Sequence, residues 1–320
     1  MTSLIWNDLV PRESVALVAD LVPPGVLLTV REELAGPPPG LAFAEFLLAS
    51  GSYRVDAELL DAAPRLSAVI KFGSGIEILD VGELQRRRIP VYNTLGANAI
   101  GVAEHAVALV LSVMRHLTIL DHRVRHLGEF DKWAYRHRSR ELAGRTVGIV
   151  GFGAVGQAIA SRLSGFEVDV IAAGRRDIDA DVLARFGARQ VELPVLLRGS
   201  DVIILAVPLN DATRHLIDGP ALATMRPGAY LVNVARGEVA DAQAVRDSLR
   251  SGALGGFATD VFAKEPPEPD DPLFSYDNVV VTPHTAGATV ETFRRVVATA
   301  MGHVSHLRQG DEPDPRFRVC

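Results

Sequence analysis

Cysteine is almost absent from this chain of 320 residues, which has a single one, Cys320, at its end. One cysteine cannot form an intramolecular disulfide or a cysteine-based metal cluster, and this usage is typical of a reducing compartment, so we expect a cytoplasmic protein. Aromatic residues are also few, at 6% of the chain, and the formal net charge is -6. Both values argue against nucleic acid as a partner, because such surfaces need stacking aromatics and an excess of basic residues.

No segment of the sequence predicts contact with a membrane. The first residues lack a basic stretch followed by an apolar run, so no secretory signal is expected. The most apolar stretch, residues 100–114, contains Glu104 and His105 and is too short to span a bilayer. With 48% hydrophobic and 22% charged residues, the composition is that of a globular protein with a substantial core.

Short apolar runs alternate with amphipathic stretches along the chain, a pattern typical of parallel sheets covered by helices. A helical stretch at 99–127 and a loop at 128–140 separate two series of runs, and an amphipathic helix at about 290–307 closes the chain. The predicted strands are 4–6, 26–30, 43–48, 68–71 and 90–92 in the first series, and 146–150, 168–172, 202–206, 229–232, 256–258 and 279–282 in the second. We therefore expect an α/β fold with two doubly wound parallel-sheet domains.

The clearest local motif is a glycine-rich turn at residues 151–156. It consists of Gly151, Phe152, Gly153, Ala154, Val155 and Gly156. It follows a predicted strand and precedes a helical pattern at 158–163, which is the context that a dinucleotide-binding motif requires. The first glycine permits a tight turn, the second lets the backbone approach a pyrophosphate, and the third allows close packing of helix and strand. The alternative is a glycine turn of purely structural value, but the context favours dinucleotide binding.

The residues after the next predicted strand bear on which dinucleotide is bound. An NAD site usually has Asp or Glu about 20 residues after the glycine motif, where it binds the ribose 2′-hydroxyl. This chain has Gly174 at that place, followed by Arg175 and Arg176. Two guanidinium groups suit a 2′-phosphate, so we predict NADP as the preferred cofactor. The alternative is that both arginines are solvated and NAD is accepted equally well.

Three polar residues, Arg236, Glu265 and His284, come shortly after predicted strands of the second series. They would lie at the carboxyl ends of parallel strands, which is the edge where open α/β sheets bind ligands. A histidine can exchange a proton with an alcohol or carbonyl oxygen near neutral pH, and a neighbouring carboxylate can orient its ring. An arginine can bind a substrate carboxylate and polarise the adjacent carbonyl. Each residue alone could be an ordinary solvated position, so the hypothesis depends on all three together.

The sequence resembles the D-isomer-specific 2-hydroxyacid dehydrogenase family over nearly its whole length. The resemblance is carried by the glycine turn and by segments 72–80, 102–105, 206–209, 233–237, 260–265 and 282–287. It implies a Rossmann nucleotide-binding domain at 98–286 and a flavodoxin-like substrate or lid domain formed by 1–97 with 287–320. It also implies hydride transfer between a nicotinamide cofactor and a small 2-oxoacid or D-2-hydroxyacid. Family members are usually homodimers through the nucleotide-binding domain.

Roles for single residues follow from the same resemblance. Arg236, Glu265 and His284 would form the catalytic set. The backbone at Ser74 and Gly75 would hold the substrate carboxylate, together with Arg236 and His284. Further cofactor contacts are implied for Val207, Pro208, Ala235 and Asp260, with Asp260 on the nicotinamide carboxamide. Because it has Gly174 in place of an acidic residue, the chain resembles the NADP-using glyoxylate/hydroxypyruvate reductase branch of the family.

Several alternatives stay open at the level of sequence. A dinucleotide-sensing binding protein, like the corepressors related to this family, would keep the fold with little catalysis. His122 and His126 are four residues apart on a predicted helix, but no third ligand is evident, so no metal site is predicted. The basic, aromatic loop at 133–140 is expected at a subunit interface or at the edge of the active site. Tyr53 would either contact substrate or pack against the domain.

Overall fold

The computed structural model describes residues 1–33, 36–51 and 53–320. These residues divide into two units. Unit 1 comprises Met1–Asn98 and Ala288–Cys320, and unit 2 comprises Ala99–Gly287. The sequence predicted the same discontinuous division, with each junction one residue earlier.

The strands named below pair with their neighbours in parallel throughout the described residues. In chain order they are β1 (Thr2–Leu9), β2 (Val26–Arg31), β3 (Phe46–Ala49), β4 (Ala68–Lys71), β5 (Val91–Asn93), β6 (Thr146–Val150), β7 (Asp169–Ala173), β8 (Ala188–Gln190), β9 (Val202–Leu205), β10 (Ala229–Asn233), β11 (Leu254–Thr259) and β12 (Val279–Val281). Parallel neighbours require a crossover between them, and helices provide most of these crossovers.

The helices in chain order are α1 (Arg12–Ala16), α2 (Ala57–Asp61), α3 (Val81–Arg86), α4 (Ala99–Arg115), α5 (Leu117–Leu127), α6 (Ala154–Leu163), α7 (Ala180–Arg185), α8 (Leu193–Gly199), α9 (Gly219–Thr224), α10 (Ala242–Ser251) and α11 (Val290–Gln309). Aspartates cap the N-termini of several, as where Asp241 accepts a hydrogen bond from the N–H of Ala244 at the start of α10. The predicted fold class, two α/β units with parallel sheets, is confirmed.

Unit 1 contains a sheet with the strand order β2-β1-β3-β4-β5, which is the flavodoxin-like order. Its central strands β3 and β4 are buried on both faces, so Val69 packs into one core and its neighbour Ile70 into the other. The apolar stripe of α11, which includes Val297, Ala300 and Val304, covers the face that carries Trp6. This packing explains why the last helix belongs to unit 1 although it follows unit 2 in the chain.

Unit 2 contains a sheet with the order β12-β11-β10-β9-β6-β7-β8. From β6 the chain first runs outward to β7 and β8, then returns to β9 on the other side and continues to β12. This is the Rossmann arrangement, and the order reverses between β6 and β9. Ligands of such sheets bind at the carboxyl ends of the strands next to this reversal.

Several elements differ from the sequence prediction. The helix predicted at 99–127 is broken at His116, whose φ is +55°, and α4 and α5 meet there at a bend of 65°. The strand predicted at 43–48 begins only at Phe46, because Leu41–Phe43 forms a 3-10 turn. The edge strand β8 was missed because it is only three residues long and none of its side chains is fully buried. Within the described residues no single helix is long and apolar enough to cross a membrane, and only α4 and α5 taken together meet the criteria of length and composition.

Candidate active site

The glycine turn joins β6 to α6 at the point where the strand order reverses. Gly151 has a φ of +94°, and a Cβ there would lie 2.5 Å from the carbonyl oxygen of Ala206, so no side chain fits. A Cβ at Gly156 would overlap the Gly151 carbonyl, which is the close helix–strand packing expected of the third glycine. At Gly153 a Cβ would meet no described atom within 4 Å, so this backbone is open to a ligand. Because α6 begins at Ala154, earlier than predicted, its unpaired N–H groups belong to the turn itself.

The side chains of Phe152 and Val155 pack against the core of unit 2. Phe152 is 7% exposed, and its ring packs edge-on against Phe186 with 6.1 Å between the ring centroids. Its carbonyl accepts a hydrogen bond from Nε2 of Gln157 at 3.0 Å. Val155 is half-buried against the same core. The predicted cofactor contacts of both residues stay predictions, and the burial of Phe152 leaves its backbone as the part able to make one.

The two arginines predicted to read the cofactor follow β7 in an exposed turn. Among the described residues neither the Arg175 nor the Arg176 guanidinium is paired with a carboxylate. The carbonyl of Arg176 accepts a hydrogen bond from Nε2 of Gln190 at 3.1 Å, which anchors this turn. A Cβ at Gly174 would lie 3.5 Å from the Arg176 carbonyl oxygen, an ordinary contact distance. Space alone therefore does not exclude an acidic side chain at position 174.

Glu265 and His284 form a hydrogen-bonded pair. Nδ1 of His284 lies 2.8 Å from Oε2 of Glu265, and Oε1 of Glu265 accepts a hydrogen bond from the N–H of Phe262 at 3.0 Å. An ionised carboxylate can only accept, so Nδ1 carries the proton in this pair and Nε2 is left for a second partner. Both side chains remain partly exposed, Glu265 at 38% and His284 at 49%. The geometry suits the exchange of a proton between Nε2 and a bound ligand.

The loop that carries His284 is held by the buried carboxylate of Asp260. His284 has a φ of +54°, and a non-glycine residue in this region costs about 1–3 kcal/mol. The Asp260 carboxylate accepts hydrogen bonds from Oγ1 of Thr282 at 2.6 Å and from the N–H groups of Thr285 and Ala286, both at 2.8 Å. The carbonyl of Asp260 also accepts from the N–H of His284 at 2.8 Å. Asp260 is 1% exposed and positions His284, while its predicted contact with the carboxamide stays a prediction.

His105, on α4, extends this hydrogen-bond network. Its Nε2 lies 2.9 Å from Oγ1 of Thr282 and 3.6 Å from Oδ1 of Asp260. Because the Thr282 hydroxyl donates its hydrogen to Asp260, its oxygen accepts one from Nε2 of His105. The sequence predicted no role for His105 or Thr282. The sequence feature that could have indicated a role for His105 is its position inside an apolar helical stretch.

Arg236 lies directly after β10, in a turn organised by a buried asparagine. Oδ1 of Asn233 accepts from the N–H of Ala235 at 3.0 Å, and its Nδ2 donates to the Arg236 carbonyl at 2.8 Å. The guanidinium Nη1 donates to the carbonyl of Ala235 at 2.7 Å. Since β10, β11 and β12 are neighbours in the sheet, the loops that follow them share one carboxyl edge. The structure thus brings Glu265 and His284 into direct contact and places Arg236 on an adjacent loop.

The turn after Arg236 packs directly on the backbone of the loop that leads to Glu265. A Cβ at Gly237 would fall on the backbone of Phe262 and Ala263, which cannot move aside as a flexible side chain would. We expect Gly237→Ala to lower the free energy of unfolding by about 1–3 kcal/mol, as overpacking does. Gly165→Ala is the control, because a Cβ there meets no described atom within 4 Å and should change stability by less than about 0.5 kcal/mol. Urea denaturation measures both, and equal stability of the two variants would contradict this packing.

The other residues that were predicted to contact the cofactor differ in how exposed their side chains are. Val207 packs against the glycine turn, since its Cγ1 lies 2.8 Å from the position of a Cβ on Gly151. Pro208, the next residue, is exposed. Ala235 is 5% exposed and its methyl group belongs to a core cluster. A contact between Ala235 and a cofactor would therefore come from its backbone.

Ser74 and Gly75 lie in unit 1, in the turn that follows β4. Ser74 is exposed and Gly75 is half-buried. The turn begins at Gly73, with a φ of +75°, whose N–H donates to Oγ1 of Thr94 at 2.7 Å. This is the carboxyl edge of the unit 1 sheet. The predicted contact of the turn with a substrate carboxylate stays a prediction.

Two other sequence features have a structural explanation. The Tyr53 ring packs under the Arg31 guanidinium, with Cζ 4.0 Å from the ring centroid, which is a cation–π contact. The rings of His122 and His126 are 4.9 Å apart on α5. Across residues 1–33, 36–51 and 53–320, no three His, Cys, Asp or Glu side chains are grouped as metal ligands would be.

Comparison with known proteins decides the family. The sequence model described as "D-isomer specific 2-hydroxyacid dehydrogenase, NAD binding domain" matches residues 107–286, more than half of the chain. The chain belongs to this family. The matched residues lie within unit 2, and the resemblance predicted from sequence motifs is confirmed.

Relatives and solved structures of this dehydrogenase agree with the assignment. It is 39% identical over 271 residues to a glyoxylate reductase of Pyrococcus furiosus, covering 82% of this chain and 79% of the relative. It is 37% identical over 269 residues to a glyoxylate reductase of Thermofilum pendens, covering 81% and 77%. The crystal structure of the TT0316 protein from Thermus thermophilus matches with a TM-score of 0.86 at 28% identity, covering 100% of both chains.

This protein is therefore an NAD(P)-dependent dehydrogenase, and a nicotinamide dinucleotide is its cofactor. The glycine turn fits such a group, since the backbone at Gly153 is open and the N-terminus of α6 lies beside it. The alternative of a dinucleotide-sensing binding protein is not favoured, because the similar proteins are named as reductases.

Proposed function

We propose that this dehydrogenase is an NADPH-dependent reductase of short 2-oxoacids, of the glyoxylate/hydroxypyruvate type. The observation that carries the proposal is the 2.8 Å pair of Glu265 and His284, at the same sheet edge as the open glycine turn. The names of the relatives support glyoxylate as a substrate. The exposed Arg175 and Arg176 support NADPH over NADH.

His284 acts as the proton donor for the carbonyl oxygen of the oxoacid. When bound, the reduced nicotinamide supplies the hydride for the keto carbon. The keto oxygen then needs a proton, and Nε2 is the atom of His284 that the pair with Glu265 leaves available. Glu265 orients the ring, because its carboxylate accepts the hydrogen bond from Nδ1 of His284. Asp260 and Thr282 hold the His284 backbone so that the ring keeps its direction.

Arg236 binds the carboxylate of the substrate and polarises the adjacent carbonyl. A guanidinium matches a carboxylate with two parallel hydrogen bonds, which also sets the orientation of the keto group. The anchored turn after β10 limits the motion of Arg236, so less conformational entropy is lost on binding.

Turnover with a panel of substrates tests this proposal. We expect oxidation of NADPH with glyoxylate and hydroxypyruvate. Glycolaldehyde is the matched control, since it keeps a reducible carbonyl but lacks the carboxylate that Arg236 binds, and we expect a kcat/KM at least tenfold lower. The absence of turnover with every short 2-oxoacid, in protein shown to be folded by circular dichroism, would overturn the proposal.

We also propose that the enzyme is a homodimer through unit 2. No side chain of α5 is buried in the described chain, and Leu117, Val124 and Leu127 on this helix are 50%, 51% and 56% exposed. Trp133, shortly after the helix, is 56% exposed. Exposed apolar groups of this kind mark association surfaces. We expect light scattering to give twice the mass of one chain and the double variant Val124→Asp, Leu127→Asp to give the mass of one chain, whereas a monomeric parent protein would exclude the dimer.

A further inference from the structure

A charged hollow lies in unit 2, at the edge of the sheet opposite the glycine turn. Its volume is about 480 Å³. Arg145 directly precedes β6, Asp201 directly precedes β9 and Asn278 directly precedes β12, and all three line the hollow. Because the strands are parallel, this is the amino-terminal edge of the sheet, whereas His284 and Arg236 follow their strands. The hollow is therefore separate from the proposed active site.

Positive charge dominates the lining of this hollow. Four arginines contribute, namely Arg138, Arg140, Arg145 and Arg226. Asp201 is the one carboxylate among the described lining residues, and its Oδ2 already accepts from the N–H of Thr146 at 2.9 Å. Nη1 of Arg226 is 3.1 Å from Oδ2 and Nη1 of Arg145 is 3.6 Å from Oδ1 of the same carboxylate. Arg138 and Arg140 have no carboxylate partner in the described part of the chain, so the hollow has an excess of positive charge.

Two buried polar side chains form part of the wall. Tyr230 is 6% exposed, and burial raises the pKa of its hydroxyl despite the opposing effect of Arg140 and Arg145. The hydroxyl is thus protonated at neutral pH and can donate a hydrogen bond. His116 is 4% exposed, and its Nδ1 has no hydrogen-bond partner among the described residues. Burial lowers the pKa of His116, so its ring is uncharged near neutral pH.

The loop that supplies Arg138 and Arg140 is anchored to the rest of unit 2. The N–H of Arg140 donates to the carbonyl of Met114 at 3.0 Å, at the end of α4. The hydroxyl of Tyr135 donates to Oδ2 of Asp277 at 2.8 Å, just before β12. The arginines are therefore presented by a fixed backbone, which lowers the entropy lost when a ligand binds. The sequence predicted this loop at a subunit interface or at the edge of the active site, and no pattern in it indicated a hollow.

We propose that this hollow binds a phosphate group, carried either by inorganic phosphate or by a small phosphomonoester. A phosphate carries up to two negative charges at neutral pH and offers several acceptor oxygens, which several guanidinium groups can bind at once. A single carboxylate has one charge and two oxygens, so it satisfies this lining less well. The volume suits a ligand of metabolite size. Tyr230 supplies a neutral donor beside the arginines.

Isothermal titration calorimetry on the cofactor-free full chain tests the proposal. The probes are inorganic phosphate and glycerol 3-phosphate in a chloride buffer of low ionic strength, with acetate as the carboxylate control. We expect one site per chain at the hollow for at least one phosphate probe, and at least tenfold weaker binding of acetate. Binding of inorganic phosphate identifies the free ion as a sufficient ligand, and binding of the ester alone identifies a phosphorylated metabolite.

Matched variants locate the site. In the double variant Arg138→Gln, Arg140→Gln we expect the affinity at the hollow to fall at least tenfold. Arg175→Gln, Arg176→Gln removes the same charge at the opposite edge and should leave this site intact, while Tyr230→Phe should weaken it severalfold with an unchanged circular dichroism spectrum. The proposal is overturned if neither probe binds at millimolar concentration, if the Arg138/Arg140 variant binds like the parent, or if the Arg175/Arg176 variant loses all binding. None of these outcomes depends on turnover, so they are distinct from the test of the proposed reaction.

Discussion

Replacing His284 with alanine is expected to lower kcat for 2-oxoacid reduction by about 10²- to 10⁴-fold, the usual contribution of a positioned general acid. The variant removes Nε2, the ring nitrogen that the pair with Glu265 leaves available to the substrate. Binding of the cofactor should change little, because the glycine turn and the arginines after β7 lie on other loops. Steady-state kinetics with glyoxylate measures the loss, and cofactor fluorescence titration checks that binding is retained.

Two further variants separate proton donation from a general loss of histidine or of structure. His306→Ala removes an exposed histidine from the last turn of α11 and should leave kcat unchanged. Glu265→Gln keeps the shape of the partner but removes its charge, so we expect a smaller loss, about ten- to hundredfold, the equivalent of one charge-assisted hydrogen bond. An alanine variant at His284 that keeps more than a tenth of the parent kcat would exclude His284 as the proton donor.

Much of this site could be predicted because its determinants are local or follow from parallel topology. The strand predicted at 146–150 is β6, and the glycine turn directly follows it, as the motif requires. Glu265 and His284 are 19 residues apart in the chain, yet both follow strands that end at one edge, so their proximity was predictable without a structure. Such inference needs only the positions of strand ends, which apolar runs reveal.

Other features depend on tertiary contacts that no local pattern encodes. The break between α4 and α5 occurs at His116, which has a left-handed φ. Because His116 is neither glycine nor asparagine, the sequence did not predict a helix break there. Asp260 was predicted to contact the nicotinamide carboxamide, and no sequence pattern showed that its carboxylate also accepts hydrogen bonds from three groups of the 282–286 loop. Phe152 lies in the glycine motif that is predicted to bind the cofactor, yet its ring belongs to the core. In each case the packing partner comes from a different element of the chain.

The second large effect is expected on the preference for NADPH over NADH, when the two arginines after β7 are replaced. We expect Arg175→Ser together with Arg176→Ser to lower kcat/KM for NADPH by about 100-fold, since each charge-assisted hydrogen bond contributes about 1.5–3 kcal/mol and 1.4 kcal/mol is tenfold. The value for NADH should change by less than about threefold, because NADH has no 2′-phosphate for the arginines to bind. Arg198→Ser is the control, since it removes the same charge from an exposed position at the end of α8.

Adding Gly174→Asp to the double variant introduces the acidic residue that NAD sites usually have at this place. A Cβ at this position makes only an ordinary contact at 3.5 Å, so the new side chain can be placed without displacing the turn. The carboxylate would accept hydrogen bonds from the ribose hydroxyls of NADH and repel the 2′-phosphate of NADPH. We therefore expect the triple variant to prefer NADH, measured as the ratio of the two kcat/KM values. If the double variant instead weakens both cofactors equally, the arginines do not distinguish the 2′-phosphate, and the preference for NADPH must be abandoned even where the reductase activity stands.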